Sequence, residues 1–243
     1  MAKRHGSDVF DEFESSADRL ADWIRNNAAW LGLGVLVAIG GSWGIQSWVE
    51  RSETREEEAS AALAEARNRF LGAMGASPGA TEVPELANPA AAEGIREEYR
   101  SDLRKVAEAH AGTVGGALAR LEAIDLAEPD RGPAATLEEL QALLAQLPGR
   151  ASLRPIALQR IAQTQEALGD FAAAAAAYEA AAGIGDYPLR HLARADAARC
   201  YAEAGEPARA LALYDQLAAE APELRLPEHH RVLSRELRAT AGG

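Results

Sequence analysis

Two stretches set the fold: GDFAAAAAAYEAAA at 169–182 and GEPARALALYDQLA at 205–218. Gly169, Ala174 and Tyr178 of the first recur as Gly205, Ala210 and Tyr214 of the second, each 36 positions on. Working outward, the helical segments before each turn match as well, with Ala162 answered by Ala198. Each copy reads as helix, tight turn, helix. The glycine fits a turn that other residues resist, and the alanines let two helices approach closely. Pro222 ends the second copy.

A helix–turn–helix unit of about 34 residues, with small residues at the helix contact and an aromatic on the second helix, is the pattern of the tetratricopeptide (TPR) repeat. The two extra residues per copy fit in the loop Gly183 to Pro188. A degenerate third copy precedes these two. Its helices are predicted over Ala117–Ala127 and Ala135–Leu147, with Leu140, Leu143 and a terminal Pro148. A last helix over Glu228–Ala239 would cap the stack, because a repeat array ends on an apolar face with no neighbour to cover it. Upstream, Asn88-Pro89 reads as a cap followed by a first-turn proline, opening a helix to about His110. Gly72–Ala87, with Pro78 and Pro84, reads as a linker. Glu50–Leu71 reads as a helix, with Ala59, Leu63, Ala66 and Phe70 on one face. Sparse aromatics, 5% of the chain, and abundant alanine agree with an all-α protein.

The strongest apolar stretch is Ala28–Val49, which carries no charge. A helix of that length spans roughly 33 Å, enough for a hydrocarbon core of about 30 Å. Trp30 stands near one end, with Trp43 and Trp48 near the other, as expected for residues at the membrane interfaces. A secretory signal would have a basic leader and a shorter apolar core; only Ala38-Ile39-Gly40 offers small residues for cleavage. Gly40 and Gly44 form a G-x-x-x-G pair, and Gly34 and Ala38 share that spacing, so these four are candidates for packing against a second membrane helix. The domains expected are a tail (1–27), a transmembrane helix (28–49), juxtamembrane helices with a linker (50–111) and TPR-like repeats (112–243).

The formal net charge is −12. That balance argues against binding nucleic acid, which needs clustered Lys and Arg. No phosphate-binding, metalloprotease or nucleophile-elbow motif occurs, so an interaction protein rather than an enzyme is expected, with no cofactor and no small-molecule substrate. The five histidines show no metal-ligand spacing. His229 and His230 are adjacent, about 100° apart on a helix, and no metal site is expected from them. The lone Cys200 reads as a core residue. The inward positions of the repeats' first helices are Gln159, Gln163 and Glu166 in one copy, and Ala195, Arg199 and Ala202 with Glu203 beside them in the next. Gln159, Gln163, Glu166, Arg199 and Glu203 are the candidate partner-binding face.

Trp23, Asn26-Asn27, Gly32, Gly34, Gly40-Gly41, Trp43, Gln46 and Trp48 around the span, and TVGGALARL at 113–121, resemble the YfgM-type family. Its members are single-pass bacterial inner-membrane proteins with a TPR-like periplasmic domain, described as ancillary subunits of the Sec translocon. The resemblance implies a cytoplasmic N-terminus and a periplasmic C-terminal domain. It also implies translocon subunits and a membrane-bound periplasmic chaperone of prolyl-isomerase type as partners. The arginine count points the other way: Arg51, Arg55, Arg67 and Arg69 outnumber Arg19 and Arg25, which would keep the large domain in the cytoplasm. The family orientation is expected here, because a short N-terminal tail crosses poorly and Arg25 abuts the span. The prolines of the linker depart from the family pattern. A scaffold for envelope stress signalling or division assembly would use the same surface.

Overall fold

The computed structural model describes residues 51–147 and 152–241. The chain divides into two units, Met1–Thr54 and Arg55–Gly243. The expected membrane segment 28–49, with Gly34, Ala38, Gly40 and Gly44, lies outside the described residues, as does Pro148. Among the described residues no helix is long and apolar enough to cross a membrane.

The described residues form helices and no strand. Helix α1 runs through 51–73. It is followed by α2 (Pro89–Ala109), α3 (Val114–Gln146), α4 (Arg154–Ala167), α5 (Phe171–Ala182), α6 (Arg190–Glu203), α7 (Pro207–Glu220) and α8 (Glu228–Ala241). Neighbours in sequence are neighbours in space from α2 to α8, the arrangement of a solenoid.

Local chemistry sets the ends of these helices. The Asn88 side chain accepts from Ala90 N (3.1 Å) and Ala91 N (3.4 Å), and Pro89 takes the first-turn position where its missing N–H costs nothing. The repeated turns are a matched pair. Gly169 and Gly205 have φ of +80° and +82°. At the first turn Gly169 N donates to Glu166 O and Asp170 N to Gln165 O; at the second Gly205 N donates to Ala202 O and Glu206 N to Tyr201 O. Both are Schellman closures, which need a left-handed residue and therefore favour glycine. Asp170 then caps α5 by accepting from Ala173 N at 3.1 Å.

The degenerate copy is a helical hairpin within α3. The chain reverses at Gly132 (φ 77°), and Pro133 opens the second arm. The first arm starts at Val114, three residues before the expected Ala117, because Thr113 accepts from Gly116 N at 2.9 Å and caps it there. Leu121 and Ile124 of one arm pack on Leu140 and Leu143 of the other and on Ile161 of α4.

The remaining core lies in two further clusters. Leu63 and Ala66 of α1, Tyr99, Leu103 and Val106 of α2, and Ala119 and Ala123 of α3 form one. Phe70 stacks on Tyr99 there, ring centroids 4.4 Å apart. The other joins α4 to α8. In it Ala162, Ala174, Ala198 and Ala210 are fully buried, with Tyr178 and Tyr214 beside them. The repeated alanines are thus contact points at which the helices meet. Cys200 is fully buried in the same cluster, and burial pushes its thiol up to about 12, as befits an inert core thiol.

Candidate interaction surface

The first helices of successive pairs are cross-linked by charge. From α1, Arg67 donates to Glu122 of α3 (2.6 and 3.0 Å), and Glu122 also accepts from Tyr99 OH (2.6 Å). From α4, Arg160 reaches back to Asp125 (2.7 and 2.9 Å) and Glu128 (3.0 Å) of α3. From α6, Arg199 grips Glu166 of α4 with two bonds of 2.7 and 2.8 Å. Asp196 of α6 lies 3.4 Å from the imidazole of His230 on α8. The result is a ladder of polar contacts along one row of helices, ion pairs at every rung but the Asp196–His230 one.

Isolated exposed ion pairs contribute little. The Glu166 rung differs because it is largely shielded and two-pronged, and because the buried Tyr178 donates to it at 2.7 Å. Burial acts to raise the Glu166 pKa. The hydrogen bonds from Arg199 and Tyr178, with the Arg199 charge, outweigh it and hold the carboxyl below its ordinary range. Burial, and then the bond to Glu166, pushes Tyr178 upward, and the bond to Glu166 pushes Arg199 upward.

Of the residues expected to face a partner, two are therefore occupied with each other. Glu166 and Arg199 hold α4 to α6. Gln159 accepts from Tyr187 OH. Gln163 is exposed and accepts from Arg160 at 3.0 Å. Glu203 is exposed near the end of α6. Ala195, expected to point inward to the groove, is instead fully buried in the core. The exposed candidates at this row, Gln163 and Glu203, are thus polar. The sequence carried a usable signal for the ladder: Asp125 and Arg160 are 35 residues apart and Glu166 and Arg199 are 33 apart, close to one repeat.

A depressed carboxyl contributes stability that is present above its unfolded pKa and disappears as pH falls through the folded one. Glu166→Gln should therefore cost about 1 kcal/mol at neutral pH, and that difference should shrink on acidification below the ordinary carboxylate range. Urea midpoints of both proteins across a pH series test this. Midpoints that stay equally far apart in acid would sink the assignment.

The tetratricopeptide repeat-like domain family matches residues 21–182. The chain belongs to that family. Among solved structures, the TPR-like domain is similar to the nearly identical TPR-like repeats of a Podosopora anserina protein, with 21% identity and a TM-score of 0.46 over 61% of this chain and 78% of that one. A point-substituted form of the same repeats gives 19% identity and a TM-score of 0.45, over 60% and 87%. No curated protein matches the chain. A TPR-like stack is a protein-interaction scaffold, and its partners are proteins.

Proposed function

We propose that this chain is a single-pass bacterial inner-membrane protein. Its TPR-like domain projects into the periplasm and assists protein secretion or periplasmic folding at the Sec translocon. The observation that carries the reading is the uncharged, tryptophan-bracketed run Ala28–Val49 placed directly ahead of a TPR-like stack. The YfgM-type resemblance around that run supports translocon subunits and a membrane-bound chaperone of prolyl-isomerase type as partners. The acidic balance supports binding to proteins rather than to nucleic acid or anionic lipid.

Topology and partners can be read in one experiment. Ser7→Cys and Ser77→Cys are each placed in a Cys200→Ala background and exposed to a membrane-impermeant thiol reagent from the periplasmic side. The cells are then crosslinked and the adducts identified by mass spectrometry. The expected result is labelling at position 77 but not at 7, with translocon subunits among the adducts. Labelling at 7 alone would place the large domain in the cytoplasm and overturn the proposal.

A further inference from the structure

The first turn of α8 carries His229 and His230. The His230 side chain is 2% exposed; its Nδ1 lies 3.0 Å from the Tyr214 hydroxyl and its Nε2 3.4 Å from an Asp196 carboxylate oxygen. The exposed His229 ring sits beside it, centroids 4.1 Å apart and planes tilted by 43°. One donor atom from each of Asp196, His229 and His230 falls within 4.8 Å of the others. The sequence hides this group, because Asp196 comes from α6 and the two histidines from α8.

We propose that Asp196, His229 and His230 form a site for a borderline divalent transition cation of the zinc class, and that the cation pins the terminal helix onto α6. Bonds of about 2.0–2.1 Å in tetrahedral geometry put neighbouring ligand atoms roughly 3.3 Å apart. The Asp196–His230 separation already has that value, and the exposed His229 is free to close the remainder. Tyr214 completes the arrangement: with a cation on Nε2, its oxygen would accept the Nδ1 proton and hold the ring in the ligating tautomer. Imidazole nitrogens select zinc-like ions over calcium or magnesium. Arg199 stands 3.6 Å from Asp196, but its two short bonds go to Glu166. The staple has a place to act, since only His230, Ser234 and Leu237 of α8 are buried.

The test uses the full chain in detergent, free of any histidine tag. Zn²⁺, Mg²⁺ and Ca²⁺ are titrated by calorimetry, and Co²⁺ is followed by its visible absorption. Saturable Zn²⁺ binding is expected, with a tetrahedral Co²⁺ spectrum and a raised unfolding temperature. Mg²⁺ and Ca²⁺ should do neither. The exposed His229→Ala should abolish the Co²⁺ band and weaken Zn²⁺ binding by more than about tenfold, and Tyr214→Phe should weaken it about tenfold while keeping the band. His191→Ala should change nothing. Zn²⁺ binding that survives His229→Ala unchanged, or an absence of saturable binding, would overturn the site.

Discussion

Leu140→Ala is expected to lower the stability of the helical unit by about 3 kcal/mol. Leu140 is fully buried where both arms of α3 meet α4, in contact range of Leu121, Ile124, Leu143 and Ile161. Truncation removes three methylene-sized groups from water-free surroundings and leaves a cavity, because backbones held by caps at Thr113 and Gly132 cannot collapse onto it. The position matters beyond its volume. In a solenoid each element touches mainly its neighbours, so among the described residues the α3–α4 contact, with Ala177 of α5 beside it, is the main coupling between the α1–α2 end and the α5–α8 end. Urea unfolding of the full chain separates the two consequences. A lower midpoint at unchanged slope means simple destabilisation, and a shallower slope means that the two ends now unfold separately. A midpoint within experimental error of the parent would show that the hairpin of α3 is not packed as described.

The contrast between what could be read in the residues and what could not follows from distance along the chain. Ala162, Ala174 and Tyr178, and their counterparts Ala198, Ala210 and Tyr214, announce themselves because helix contact and Schellman turn are local demands met by particular residue types. Asn88-Pro89 is legible for the same reason. The α3 hairpin was harder, since its reversal uses Gly132 followed by Pro133 in place of the glycine-acid turn of the other copies. The ion-pair ladder shows in the sequence only as a spacing near one repeat, which does not name the partners. Which carboxylate meets Arg160 or Arg199 depends on how successive helices are rotated against each other, and helical periodicity within one segment does not contain that angle. The same rotation turns Ala195 into the core and away from the concave groove it is expected to line. It also brings Asp196 to His230. Adjacent histidines diverge along one helix, but a third group, Asp196, arrives from another helix.

Gly116→Ala should destabilise the protein by about 2 kcal/mol, against the trend of helix propensity, which favours alanine over glycine by about 1 kcal/mol. A methyl group on Gly116 would be driven into the backbone carbonyl of His110. That carbonyl cannot step aside, because it accepts from Thr113 OH at 2.7 Å and from Thr113 N at 3.2 Å, and Gly112 (φ +85°) fixes the turn behind it. Next door, a methyl group on Gly115 would lie 2.8 Å from the Cβ of Ala59 and 2.9 Å from its carbonyl carbon, so α1 and α3 also touch at backbone distance. Glu56 of α1 reinforces the contact by accepting from Val114 N at 2.8 Å, a carboxylate at the positive end of α3. The paired glycines of the 113–121 stretch are therefore a requirement of packing. Gly94 of α2 supplies the internal control: it is exposed, nothing lies within 4 Å of where its methyl would point, and Gly94→Ala should stabilise by up to about 1 kcal/mol. Two glycine-to-alanine changes in two helices of one protein should thus move the denaturation midpoint in opposite directions. If both raise it, the close approach at the start of α3 does not exist, and the α1–α3 seam is looser than these contacts require.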